Sequence, residues 1–335
     1  MIKKFVCKVV GFPIFGCAQP TEEGLQGVLE KVGRGGGDKV VRTVWFNMRQ
    51  EPVIYVDGQP CAPRHPDKMH ENLTLTDEAA ADLDKLEESF TEVVKERVKN
   101  DAEHMIDINR DAEYMENPLE RDNIQEKISV TEVKSLTEMY AGIKKKLGNT
   151  ELVRVGVVED YAPKEASIDV LVDTLKQEPA STQCVFSCQA GMGRTTLGMI
   201  IACQVKEIQI CTELRKMAEM GIGITKDTAE DLIKQKFEFP LARAAEDEDA
   251  LLRGEFSVIK QLLAALPGAA EAKAKIDRII DMCGPGPRGT GMQNLRWDLA
   301  LALAPALKCL FNCLSSGNAS SRPSGSMTWL LRTSR

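Results

Sequence analysis

The chain has 335 residues, 43% of them hydrophobic, enough to bury a sizeable core as one large domain or two modest ones. A net charge of −7 and an isoelectric point near 5.3 exclude a broad nucleic-acid or membrane-surface binding face, so any anionic substrate needs a local positive site. Ten cysteines, irregularly spaced and without a CxxC pair or a Cys/His cluster, argue against a disulfide scaffold or a zinc site and for a reducing, cytoplasmic compartment.

The opening stretch MIKKFVCKVVGFPIFGCAQ imitates a secretory signal, with Lys3 and Lys4 before an apolar run. Lys8 interrupts that run and Pro13 breaks a continuous helix, so export is not expected; the reading is a first strand, Phe5 to Val10, and a turn. TEEGLQGVLEKV predicts a helix over Thr21 to Val32 with Thr21 as N-cap. Lys39 to Arg49 is a β-branched and aromatic run that reads as a buried strand, and PVIYVDGQP reads as a hairpin turning at Asp57-Gly58. Between Ala79 and Asn100 the residues Leu83, Leu86, Phe90, Val93, Val94 and Val98 form one helical stripe.

DINRDAEYMENPLERDNIQ is polar and reads as a long connection, after which SVTEVKSLTEMYAGIKKKL resumes helical spacing. Leu152 to Val158 is a strand ending in the acidic loop EDYAP. A helix over Glu165 to Gln177 feeds a strand, Gln183 to Ser187, and an apolar helix follows from Arg194. Strands alternating with helices predict an α/β fold, a central mainly parallel sheet flanked by helices, with a helical C-terminal extension. The helices KDTAEDLIKQKF, EDALLRGEFSVIKQLLAALP and AEAKAKIDRIIDMC make up that extension, before the breaker GPGPRGTG. WDLALALAPALKCLFNCL carries Asp298, Pro305 and Lys308, so no transmembrane segment is expected there, and the end of the chain reads as disordered. His65, His70 and His104 are scattered on polar segments and read as surface residues.

The chemistry concentrates in CVFSCQAGMGRTT, where Cys188 and Arg194 flank Gln189, Ala190, Gly191, Met192 and Gly193 between a strand and a helix. Wrapped into a cradle, such a loop points its backbone N–H groups inward, and the helix N-terminus adds positive potential. Gly191 and Gly193 can take the positive φ angles this needs. Cysteines at helix N-termini beside Arg have lowered pKa values in general, which suits Cys188 to a thiolate role. Arg194 offers a planar fork for two phosphate oxygens, and Thr195 a hydroxyl for the sulfur as it leaves. Two displacements through a phosphocysteine need one carboxylate as acid and then base, and Glu159 and Asp160 are the candidates. No metal and no cofactor is expected. Cys184 reads as a core residue.

CQAGMGRTT resembles the Cys-x5-Arg active-site loop of the cysteine-dependent tyrosine and dual-specificity phosphatases. The wider set PIFGCAQPT, VWFNMRQEPVIYVDGQP, NPLERDNIQ, RVGVVEDYAPKE, FSCQAGMGRTT and GMQNLR is similar to one repeat of tandem-domain proteins related to the phytase-like inositol-phosphate phosphatases, from about Phe5 to Arg296. The resemblance implies a phosphatase-like fold, a cytosolic signalling role, Cys188 as nucleophile, Gln189 to Gly193 as cradle and Arg194 as clamp. The acid of these relatives is an Asp four residues before a Pro, and counting back from Pro163 gives Glu159, with Asp160 adjacent. Where the relatives have His before the cysteine, this chain has Ser187, and Gln189, Ala190 and Met192 are uncharged where the phytase-like enzymes tend to add lysines.

Two readings follow. One is a phosphatase acting on a phosphorylated small molecule, a lipid headgroup or a phosphoprotein; the other is a pseudophosphatase that binds such ligands as a scaffold. The expected organisation is a phosphatase-like domain over 1–235, a helical region over 236–296 and an unrecognised tail over 297–335.

Overall fold

The computed structural model describes residues 7–9, 11–34, 40–65, 67, 71–73, 75–76, 80–110, 124–159, 161, 163–237, 263–264 and 269–282. In chain order these form β1 (Cys7–Lys8), β2 (Ile14–Ala18), α1 (Glu22–Gly33), β3 (Thr43–Arg49), β4 (Ile54–Val56), β5 (Gln59–Cys61), α2 (Leu83–Asn100), β6 (Met105–Arg110) and β7 (Ile124–Ser129). There follow β8 (Val133–Ser135), α3 (Leu136–Leu147), β9 (Thr150–Val157), α4 (Glu165–Gln177), β10 (Gln183–Cys188), α5 (Gly193–Glu219), α6 (Lys226–Phe237) and α7 (Ala269–Met282).

The central sheet runs β1-β2-β10-β3-β9, its last four strands parallel and β1 an antiparallel edge, as the α/β expectation requires. β10 lies in the middle and is buried from Cys184 to Cys188, because both of its neighbours and both faces are covered. Strand alternation sorts its side chains. Cys184, Phe186 and Cys188 share one face with Val44, Phe46 and Met48 under α4 and α5, and Phe46 stacks on Phe186 with centroids 4.8 Å apart. Val185 and Trp45 face the other way, onto Leu25 and Leu29 of α1 and Met139 and Ile143 of α3.

Several local readings hold. Thr21 caps α1 by accepting from Gly24 N at 3.0 Å, β4 and β5 form the hairpin around Asp57 and Gly58, and α4 spans the expected residues. Others are corrected. The segment read as a turn after the first strand contains β2, a strand in the middle of the sheet paired with β10 in parallel. The polar connection after His104 begins and ends in strands, β6 and β7, paired antiparallel from Met105↔Ser129 to Arg110↔Ile124. The helical reading from Ser129 starts too early: Val133 and Ser135 are buried with Lys134 half-buried between them, the period of a strand, and β8 pairs with β4 before Ser135 caps α3 in a capping box.

Most of the region expected at 236–296, apart from α7, and all of the tail at 297–335 lie outside the described residues, as do residues 1–6. Among the described residues no helix is long and apolar enough to cross a membrane.

Candidate active site

β10 ends at Cys188 and α5 begins at Gly193, so four residues make the turn from strand to helix. The turn lies against the end of β2, where Gln19 N donates to Gln189 O at 3.1 Å. Gly191 has φ +74°, and a Cβ there would stand 2.4 Å from Ala18 N and 2.7 Å from Cys17 C, so only glycine fits between cradle and strand. Gly16 allows the second close approach: its Cβ would meet Met199 Sδ at 2.3 Å and Thr195 Cγ2 at 2.8 Å, which lets the first turns of α5 lie directly on β2. α5 is buried from Arg194 to Lys206, so its N-terminus is aimed at the loop by packing on both sides.

Cys188 is buried, 3% exposed, and the Thr195 hydroxyl lies 3.1 Å from its sulfur and 3.4 Å from Cys17 O. Arg194 is buried beside it. Its Nη1 donates to both carboxylate oxygens of Glu51, at 2.7 and 2.6 Å, and to Val157 O at 3.0 Å. Its Nη2 makes no hydrogen bond and stands 3.5 Å from Glu159 Oε1. Burial pulls the Arg194 pKa down, but the charges of Glu51, Cys188 and Glu159 outweigh it and hold the guanidinium above its ordinary value. One nitrogen thus anchors the side chain while the other, buried and facing Glu159, makes no hydrogen bond.

Glu51 and Asn72 were not foreseen. Asn72 Nδ2 donates to Glu159 Oε2 and, at 2.7 Å, to Gln189 Oε1, and Glu159 N donates to Glu51 Oε1 at 3.3 Å. The acidic loop after β9, the cradle and the segment after β3 are therefore joined through one asparagine and one glutamate. Glu159 is brought to the site, whereas Asp160 lies outside the described residues. Gln189, Ala190, Gly191 and Gly193 are half-buried, and Met192 of the same loop and Tyr161 of the acidic loop are 37% and 70% exposed. Cys184 is fully buried, and burial pushes its thiol up to about 11, as suits a core residue. His65 and His104 are exposed as expected, and His70 lies outside the described residues. An apolar groove between α5 and α6, lined by Ile210, Leu214, Leu232 and Gln235, contains none of these groups.

Ser187 is 0% exposed and accepts from Trp45 Nε1 at 2.8 Å. Alternation along β10 puts it on the sheet face opposite Cys188, so this position serves the core rather than the sulfur. Ser187→Ala is expected to cost about 1–3 kcal/mol by stranding the indole N–H, and to leave binding of inorganic phosphate unchanged; urea denaturation and a phosphate titration check the two halves.

Residues 46–206 match the model of the PTP-like phytase family, whose description is "Inositol hexakisphosphate". That span includes Glu51, Asn72, Glu159, Cys188 and Arg194. Paladin of Danio rerio is 27% identical over 290 residues, covering 82% of this chain and 30% of its own, and paladin of Xenopus tropicalis is 24% identical over 296 residues, covering 82% and 29%. The chain thus spans less than a third of the length of these relatives. Among solved structures, the tandemly repeated protein tyrosine phosphatase like phytase from Mitsuokella multacida aligns with a TM-score of 0.45 at 14% identity, covering 83% of this chain and 42% of that one. Over residues 46–206 the chain is thus similar to the PTP-like phytase family, and over most of its length to a part of the paladins.

Proposed function

We propose that this domain, over residues 1–235, hydrolyses a phosphomonoester through a phosphocysteine intermediate in a cytoplasmic signalling role. The Cys188 thiolate attacks phosphorus; the bond to the leaving oxygen breaks as Glu159 or Asp160 supplies its proton. Water, deprotonated by the same carboxylate, then attacks phosphorus, the P–S bond breaks with the Thr195 hydroxyl donating to the departing sulfur, and inorganic phosphate leaves. Arg194 follows the phosphoryl oxygens through both steps, and the backbone of Gln189 to Gly193 cradles them. No metal or cofactor enters these steps.

The observation that carries the reading is the Thr195 hydroxyl 3.1 Å from Cys188 Sγ beside an arginine anchored by one nitrogen, its other terminal nitrogen making no hydrogen bond and facing Glu159. The substrate classes are a phosphoinositide, an inositol phosphate or a phosphoprotein. The family description names inositol hexakisphosphate, but the uncharged Gln189, Ala190 and Met192 favour a ligand with fewer phosphates. A second reading, a phospho-ligand-binding scaffold with little turnover, is favoured by the Glu159 carboxylate already accepting from Asn72 and facing Arg194.

Wild type and Cys188→Ser are incubated with phosphoinositides, inositol phosphates and phosphopeptides, and both phosphate release and binding are measured. Release by the wild type alone is the expected result. Binding by both without release would replace the enzyme with the scaffold.

A further inference from the structure

Ligand sites of parallel sheets lie outside the carboxyl ends of the strands, and three such ends meet here: Glu51 follows β3, Glu159 follows β9 and Gln189 follows β10. β3 lies between β9 and β10, so those two ends are two strand spacings, about 10 Å, apart. Asn72, from the segment between β5 and α2, closes that gap. Its Nδ2 donates to Glu159 Oε2 on one side and to Gln189 Oε1, at 2.7 Å, on the other. A carboxylate only accepts, so the amide nitrogen must face Glu159. As a consequence Asn72 Oδ1 is buried with no hydrogen-bond partner. An unpaired buried acceptor is costly, so the orientation is fixed by the two groups that the nitrogen holds.

Held in this way, Glu159 meets Arg194. Its Oε1 stands 3.5 Å from Nη2, the guanidinium nitrogen that makes no hydrogen bond, while Nη1 is taken by Glu51 and Val157 O. Glu51 also faces Arg49, whose Nε lies 3.4 Å from Oε2. Among the described residues, this chain of ion pairs sets two guanidiniums against two carboxylates, and the charges balance. A phosphate entering the cradle finds no net positive charge on these side chains until Glu159 withdraws, and then it finds one.

We infer that Asn72 is a positioning residue that latches the Glu159 carboxylate against Arg194, in competition with an incoming phosphate. The same hold engages Oε2, so Oε1 is the oxygen available to carry a proton for the leaving group. The latch lowers affinity for free phosphate and keeps the acid at hand for a bound ester. The inference rests on the cradle and Arg194 being the phosphate site proposed above but not on turnover, because its test reads binding.

Binding of inorganic phosphate is measured by isothermal titration calorimetry on the full chain in wild type, Asn72→Ala, Glu159→Gln and the double variant, each checked for folding by near-UV circular dichroism. Glu159→Gln is expected to bind phosphate about tenfold more tightly than wild type, and Asn72→Ala about fivefold, as the released carboxylate turns toward solvent. The double variant is expected to match Glu159→Gln, because the amide acts through that carboxylate. Damage to the loop alone would weaken binding instead. If Asn72→Ala does not fold, Asn72→Ser, too short to reach both acceptors, takes its place with the same expectation. Unchanged binding in either single variant overturns the inference. So does weaker binding in the Asn72 variant, which would make Asn72 a ligand contact, or tightening in the double variant beyond that of Glu159→Gln. Phosphate binding by none of the four chains would remove the proposed phosphate site, and the inference with it.

Discussion

Glu51→Gln is expected to lower phosphate release by about 100-fold while the chain stays folded. Both carboxylate oxygens of Glu51 bind Arg194 Nη1, which fixes the guanidinium plane and leaves Nη2 toward the site. A neutral amide presents one accepting oxygen and a repelling NH2, so the fork turns and its free nitrogen moves off the phosphoryl oxygens. A displacement of about 1 Å at a positioning group is enough for a loss of that size. Glu51→Ala goes further. It leaves Arg194 and Arg49 facing each other in the core without their shared counter-charge, and removing one partner of a buried pair costs about 3–5 kcal/mol. Phosphate release with a soluble aryl phosphate and urea denaturation separate the two variants. Wild-type turnover in Glu51→Gln would mean that the loop, not the glutamate, sets the arginine.

How far the site can be read from residues alone follows from where each part is encoded. The cradle is local. Strand, glycines, arginine and helix lie within one short stretch, so Cys188, Gly191, Arg194 and Thr195 are legible together, and the structure places them as a unit. Glu51 is 143 residues from Arg194 and Asn72 is 117 from Gln189, and a single polar residue at a strand end or in a loop carries no periodic signal. Only the neighbouring of β3 and β10 makes Glu51 a partner.

β2 was hidden for a related reason. Pro13 reads as a helix breaker, but in the sheet it supplies a carbonyl to Cys184 N, and Gly16 is required by the contact with Met199 and Thr195. Ser187 is the opposite case. Its identity is plain in the sequence, but the face it occupies, and with it the bond to Trp45, depends on the pairing of β10 with β3.

Glu87→Ala is expected to destabilise the fold by about 3–5 kcal/mol, although Glu87 touches no part of the cradle. It is 0% exposed on the buried stripe of α2 with Leu83 and Thr91. One carboxylate oxygen accepts from Val53 N at 2.8 Å, just before β4, and the other accepts from Arg154 Nη2 on β9. It therefore joins α2 to the segments on either side of the site, and alanine strands the Val53 amide and leaves Arg154 with the half-exposed Asp84 as its remaining carboxylate, 2.8 Å from Nε.

Its charge has a pH signature. Burial raises the Glu87 pKa, and the opposing effects of Arg154 and the Val53 N–H do not cancel it. The folded chain then holds this proton more tightly than the unfolded chain. The contribution of Glu87 is full below the ordinary glutamate value near 4.5 and declines as pH rises through the raised folded value. Glu87→Gln keeps an acceptor for Val53 N but cannot ionise, so wild type is expected to lose stability relative to it as pH rises from acid to neutral. Urea midpoints of the two chains at both ends of that range test this. A constant difference would mean that Glu87 titrates alike in the folded and unfolded chains, its burial offset in full by Arg154.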